Sequence, residues 1–243
     1  MLITGGGAGI GAGLARELYA RGTAVIVAGR TRAKLDELAA AHPGAEVEVV
    51  DVSDAKQVYE LAGRLSARHP GLDALINSAG LEQALDFAAT GPVDPDAIDR
   101  EIDTNLRGLI HVSNAFLPLL KRQGAATLVQ VGSGLGFVPL AAAPVYSATK
   151  AAVHSFTVSL RRQLAGSPVR VVEIIPPAVD TGLHRSMPNP PPGMMKPDAF
   201  VARAMRGLDA GRLEVSMGSA DLLRIGGRIA PSMLLRLVNS GPS

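Results

Sequence analysis

Tyr146 and Lys150 stand four residues apart in Tyr146-Ser147-Ala148-Thr149-Lys150, and Ser133 precedes them by thirteen. On a helix, a spacing of four puts two side chains on one face, so phenol and ammonium would point into one space. A neighbouring positive charge favours phenolate. The expectation is a Tyr146 pKa lowered toward neutrality, fit to give a proton to a carbonyl or take one from an alcohol. Ser133 comes just after an apolar run, in Val129-Gln130-Val131-Gly132-Ser133, where a hydroxyl can hydrogen-bond a substrate oxygen.

A second cluster opens the chain. Thr4-Gly5-Gly6-Gly7-Ala8-Gly9-Ile10-Gly11 lies between a short apolar run and a helical segment. Glycines allow a sharp turn and close approach to a pyrophosphate, whose charge then sits at the helix N-terminus. The spacing T-G-x-x-x-G-x-G departs from the commoner G-x-G-x-x-G, yet strand before and helix after give it the context of a dinucleotide site. About twenty residues on, such folds place an acid against the adenosine ribose of NAD. Here the second strand runs out in Val27-Ala28-Gly29-Arg30-Thr31-Arg32 with no acid at its tip. The Arg30 guanidinium can meet a 2′-phosphate, so NADP(H) is expected over NAD(H).

Positioning these groups requires strands and helices in alternation. Apolar runs at Met1–Thr4, Ala24–Ala28, Val47–Val50, Ala74–Asn77, Thr127–Val131, Val169–Ile175 and Leu213–Met217 read mostly as strands buried on both faces. Helical segments lie near Ile10–Arg21, Arg32–His42, Ala55–His69, Pro95–Gln123 and Val145–Ala165. The rhythm predicts an α/β, doubly wound fold: a parallel seven-stranded sheet with helices on both faces, as one domain over 1–243. A first strand starting at residue 1 would be short for a central position. Pro-rich Ser186–Pro197 reads as a loop that covers something, and Leu183–Pro197 is expected to close the substrate pocket. The tail, 219–243, carries Arg224, Arg228 and Arg236 among apolar residues; Gly226-Gly227 and Pro231 are expected to split it into two short pieces. Those pieces should pack over the sheet edge or substrate mouth rather than lie on a membrane.

Composition removes several classes. The 243 residues carry 24 Lys+Arg against 22 Asp+Glu, without a basic run that would track phosphates, so nucleic-acid binding is not expected. There is no cysteine, which excludes disulfides and thiolate metal sites, and the five histidines lack ligand spacing, so no metal is expected. A reducing cytoplasm is consistent with this composition. The start has neither a basic n-region nor an apolar h-region. The uncharged stretch 123–149 is interrupted by Pro139, Pro144 and glycines, a poor membrane helix.

With these residues in place, the chain resembles the short-chain dehydrogenase/reductase family in its compact form. The resemblance rests on residues 4–11, Asp51-Val52, Asn77-Ser78-Ala79-Gly80, Asn105, Ser133, Tyr146 with Lys150, and Pro176-Pro177-Ala178-Val179-Asp180-Thr181. The stretch from Glu101 to Gly108, the 174–181 segment and the tail are similar to a branch linked by name with D-alanyl esterification of lipoteichoic acid, a label that says little about substrate. The resemblance implies Tyr146 as acid/base, with Lys150 binding the nicotinamide ribose and lowering the tyrosine pKa. It implies that Ser133 orients the carbonyl and that Asn105 holds a water relaying protons to Lys150. Gly5, Gly7, Gly9, Ile10, Gly11 and Arg30 would hold the dinucleotide, with Asp51 and Val52 at the adenine. Asn77, Ala79 and Gly80 would support the sheet centre and line the cofactor, although a purely structural Asn77 is equally open. Val179 and Thr181 would meet carboxamide and phosphate. Two departures stand out: Ser78 replaces the usual Asn, and Pro177 replaces the usual Gly, removing one backbone N–H.

The expected function is an NADP(H)-dependent oxidoreductase of a carbonyl/alcohol pair. A non-catalytic nucleotide sensor or scaffold would typically have lost Tyr or Lys, and an extended sugar-nucleotide epimerase would need more chain after Thr181. Leu135, Phe137, Val138 and Leu140 would wall the pocket, favouring an uncharged, lipophilic or aromatic substrate. The helices Pro95–Gln123 and Val145–Ala165 carry apolar residues on more than one face (Leu106, Leu109, Ile110, Val112; Val153, Phe156, Val158, Leu160), which predicts a homodimer or homotetramer.

Overall fold

A computed structural model describes residues 1–187, 191 and 193–240. Parts of the expected substrate loop (188–190 and 192) and the end of the tail (241–243) lie outside the described residues. One sheet organises the rest. Its strands β1 (Leu2–Thr4), β2 (Ile26–Gly29), β3 (Glu46–Val49), β4 (Ala74–Asn77), β5 (Ala126–Val131), β6 (Val169–Ile175) and β7 (Glu214–Ser216) are ordered β3-β2-β1-β4-β5-β6-β7. All pairs are parallel; Ile3 stands level with Val27 on one side and Ile76 on the other. Strand order reverses between β1 and β4, the point at which doubly wound sheets open a crevice at their C-terminal edge.

The Val/Ile/Leu runs make this sheet because both faces are covered. On one side α3 (Ala55–Arg68), α5 (Leu109–Leu120) and α6 (Pro144–Gln163) bury Leu61, Leu65, Phe116 and Leu160 against Leu2, Leu75 and Leu128. On the other, α1 (Gly9–Ala20), α2 (Arg32–Ala41) and α7 (Pro197–Asp209) bury Leu14, Leu35 and Phe200 against Ile3, Val129 and Ile174. The edge strand β3 differs from the expected apolar run: Glu46 and Glu48 alternate with Val47 and Val49, and both glutamates pair with Arg68 of α3.

Two expectations are corrected and one helix is added. The segment 95–123 is not one regular helix: α4 (Pro95–Ile102) passes through a π-helical turn, Asp103–Gly108, into α5. Gly108 sits in that turn against the Val52 carbonyl, 2.8 Å from where a Cβ would be. Helix α7 was not anticipated; Pro197 starts it, and Phe200, Val201, Ala204 and Met205 form its buried stripe. In the tail, Gly226-Gly227 does not break the chain. They lie inside α8 (Ser219–Ile229), where a Cβ would come within 2.6 Å of Leu234 and 2.9 Å of Val138, and the break falls at Pro231, which opens α9 (Pro231–Val238). Among the described residues no helix is long and apolar enough to cross a membrane.

Candidate active site

At the switch point, the C-terminal ends of β1, β2, β4, β5 and β6 border one cleft of about 500 Å³. Gly5, Gly7, Gly9 and Ile10 line it on the β1–α1 side, together with Arg30, Thr31 and Lys34 beyond β2. Ser133, Tyr146 and Lys150 line it beside β5, and Gly80, Val179 and Thr181 complete the wall.

The glycine turn is shaped for a phosphate. Gly5 and Gly9 have φ of 67° and 54°, a left-handed backbone that favours glycine. Gly11 does not line the cleft, but a Cβ there would stand 2.4 Å from the Gly5 carbonyl oxygen, so it permits the turn to close on α1. The first turn of α1 holds no acid and no side-chain cap, which leaves its N–H groups facing the cleft for an anion. Arg30 and Lys34 add positive charge to the cleft wall beyond β2. These residues fit a nicotinamide dinucleotide phosphate.

Helix α6 presents Tyr146 and Lys150 inward, both buried. The Lys150 ammonium lies 5.6 Å from the Tyr146 ring centre and donates to the Val131 carbonyl at 2.9 Å. Burial lowers the Lys150 pKa to about 8, opposed by the Glu173 and Glu82 carboxylates. The expected lowering of Tyr146 is not found. Burial pushes its pKa up, the Glu82 and Glu101 carboxylates push the same way, and a hydrogen bond with Ser133 only partly opposes them.

Asn105 occupies the π-helical turn behind Gly80. Its amide donates to the Leu81 carbonyl and its oxygen accepts from the Leu81 N–H, each at 2.8 Å, while a 3.3 Å contact reaches Thr149 Oγ1. It therefore fastens the loop after β4 to α6 without facing the cleft. Asp51, Val52, Asn77 and Ala79 also lie off the cleft lining. The Asp51 carboxylate accepts from the backbone and hydroxyl of Ser53 at 3.0 and 2.7 Å and faces Arg30 at 3.9 Å; Val52 is buried beneath Gly108. Asn77 donates to Ser113 and Gln130 at 3.0 Å each, a buried polar knot that serves the sheet centre.

The substrate end is less apolar than its sequence suggested. Leu135, Leu140 and Leu183 line it, joined by Pro191, Leu223 and Val238, whereas Val138 is buried under α8 and Phe137 packs on His154 at 4.5 Å. Among these leucines stand Glu82 and His184, whose Oε2 and Nδ1 are 2.6 Å apart. Glu101 is buried behind them. Lys34 was legible as the residue one turn beyond Arg30, and Glu82 as the acid following Asn77-Ser78-Ala79-Gly80; His184, isolated in its segment, gave no signal. The Pro176-Pro177 step lines the cleft and the Pro176 carbonyl accepts from Gly134 N–H at 3.1 Å.

Residues 1–191 match the family model described as short chain dehydrogenase. The chain is 37% identical over 244 residues to the uncharacterized oxidoreductase DltE of Bacillus subtilis strain 168, covering 99% of this chain and 96% of that protein. Among solved structures, a short-chain dehydrogenase from Burkholderia cenocepacia J2315 in complex with NADP superposes with a TM-score of 0.84 at 30% identity, covering 99% of this chain and 97% of that one. A short-chain dehydrogenase from Sphingobium yanoikuyae in complex with NADPH gives 0.81 at 28% identity, covering 96% and 94%.

Proposed function

The chain belongs to the short-chain dehydrogenase family of oxidoreductases, and from that premise we propose that it interconverts a carbonyl and an alcohol with NADP(H), Tyr146 serving as acid/base. The observation that carries this reading is the convergence of Ser133, Tyr146 and Lys150 on the cleft that the glycine turn opens. A nicotinamide dinucleotide bound along the turn would supply or accept the hydride. In reduction, Tyr146 gives its proton to the carbonyl oxygen, and in oxidation it takes the proton back from the alcohol. Ser133 holds that oxygen in place through its hydroxyl. Lys150, charged below its pKa of about 8, favours the phenolate that remains after proton transfer. Asn105 keeps the β4 loop and α6 in register, so that Lys150 and Tyr146 stay aligned; the proton relay through a water at Asn105 belongs to the same proposal. Arg30 and Lys34 support the choice of NADP(H), as do the NADP and NADPH in the two related structures. We further infer self-association through α5 and α6, where Phe156 and Ile110 are half-buried and Val158 is exposed. A panel of carbonyls and alcohols, followed by nicotinamide absorbance with each cofactor, tests the activity. Turnover by wild type that persists in Tyr146→Phe would remove the tyrosine from the mechanism.

A further inference from the structure

The tail helices have two sides. On the inner side, Leu223 of α8 and Val238 of α9 line the substrate end of the cleft, and Leu234 is buried against Gly226, so the two helices pack as a pair. The outer side has no cover among the described residues. Leu222, Ile225 and Ile229 follow at spacings of three and four along α8, which sets them on one face, and Met233 and Leu237 do the same along α9. Ile229 is 78% exposed and Met233 64%, more than any other large apolar side chain described. With Leu235, six of the eleven large apolar side chains left exposed among the described residues fall on these two helices. The other five are scattered over β3, α3, α6 and two loops, so the patch is not ordinary surface.

Arg228 and Arg236 stand at the edge of this patch. Each directly precedes an apolar member, Ile229 or Leu237, each is exposed, and neither forms an ion pair among the described residues. The one acid of the two helices, Asp221, accepts from the Ser216 hydroxyl, and Arg224 reaches Glu214 at 2.9 Å. Gly226-Gly227 would weaken such a helix standing alone, but Leu234 and Val138 pack on those glycines and α8 runs through them. An apolar stripe edged by uncompensated arginines has the chemistry of an interfacial helix, whose apolar side enters acyl chains while guanidinium groups meet phosphates.

We propose that the outer face of α8 and α9 docks the protein on an anionic lipid surface, with Leu222, Ile225, Ile229, Met233 and Leu237 in the acyl region and Arg228 and Arg236 on lipid phosphates. A second copy fits this face less well. A twofold contact repeats one patch on both sides, so arginines would meet arginines with only Asp221, already engaged, to answer them. Docking is peripheral, since no described helix is long and apolar enough to cross a membrane. It leaves the substrate end of the cleft, on the inner side of the same helices, one helix layer from the lipid.

Flotation of the full chain with vesicles tests this without any need for turnover. The protein should float with vesicles of equal parts phosphatidylcholine and phosphatidylglycerol, and at least about tenfold less with phosphatidylcholine alone. Binding to the mixed vesicles should fall severalfold in about 1 M NaCl, where the Debye length is about 3 Å. Arg228→Glu combined with Arg236→Glu should lower it by at least about tenfold, and so should Ile229→Ser combined with Met233→Ser, with folding checked by circular dichroism. Should either double variant fail to fold, Arg236→Ser serves, with a smaller loss. Absence of flotation, equal flotation with both vesicle types, or binding unchanged in the folded variants overturns the proposal. A lower mass of Ile229→Ser/Met233→Ser than of wild type in vesicle-free light scattering also overturns it, in favour of a second copy on this face.

Discussion

In the proposed mechanism Tyr146 carries the proton chemistry and contributes little to holding a dinucleotide. Tyr146→Phe should therefore lower turnover by about 10²–10⁴-fold. NADPH affinity, read by fluorescence quenching, should stay within a few-fold. Arg30 acts at the other end of the cleft. Under the proposed NADP(H) binding, Arg30→Asp removes a charge-assisted contact to the 2′-phosphate, which costs about 1.5–3 kcal/mol, and supplies an acceptor for a free 2′-hydroxyl. The ratio of kcat/KM for NADPH over NADH should fall by at least about tenfold; a wild type that already prefers NADH would contradict the argument. Glu101 titrates with the opposite sign from an ordinary carboxylate. Burial raises its pKa to about 7 and the Glu82 carboxylate adds to this, while the Gln83 N–H bond opposes it. Because the folded pKa lies above the unfolded one, the native state holds the extra proton between about pH 4.5 and 7, and stability falls as pH rises through that window. Above pH 7 the cost is complete. Glu101→Gln keeps the acceptor for Gln83 and removes the charge, so it should raise the melting temperature at pH 8 by several degrees and change it little at pH 4.5. Equal gains at both pH values would place the effect in packing instead.

At the scale of elements, the glycine turn and α1 act as one unit. Gly11 touches no part of the cleft surface, yet any Cβ there collides with the Gly5 carbonyl, a backbone atom that cannot swing aside. Gly11→Ala should consequently weaken NADPH binding by more than about tenfold, because the N-terminus of α1 is displaced from the phosphate position. A fluorescence titration of the folded variant checks this. The π-helical turn 103–108 is a comparable device: it inserts extra backbone so that Asn105 reaches Leu81 while α5 keeps Val112 and Phe116 on the sheet. Hydrophobic periodicity runs straight through this turn, which is why one long helix was expected. The strands were legible because burial on both faces leaves near-continuous Val/Ile/Leu runs. Helix α7 was not, since Pro197 and the preceding prolines resemble a loop that simply continues.

For the whole molecule, α8 and α9 form one wall of the substrate end. Leu223 and Val238 line the cleft, Ala220 packs on Gly134, and Leu234 is buried. Their outer face leaves Leu222, Ile225, Ile229, Met233, Leu235 and Leu237 exposed, more apolar surface than α5 and α6 leave. Removing everything after Gly218 should lower the melting temperature and uncover Gly134 and Val138. Substrate KM should rise more than cofactor KM, because the helices touch the substrate end. Static light scattering at micromolar concentration should give a multiple of 25.1 kDa for the full chain, and a monomeric mass would refute self-association.

The sequence by itself determined the parallel sheet, the glycine turn, the pairing of Tyr146 with Lys150 and the absence of an acid beyond β2. These are local patterns: a spacing, a run or a turn carries each one. Tertiary structure decided what depends on segments meeting from far apart. It buried Asn77 and Asn105 off the cleft lining and set Asp51 beside Arg30 at the cleft's edge. It raised the Tyr146 pKa, because burial and two remote carboxylates outweigh the hydrogen bond with Ser133. It also brought His184 onto Glu82 across the mouth of an otherwise apolar pocket. Electrostatic environment and cleft lining are sums over neighbours in space, and only the folded chain says who those neighbours are.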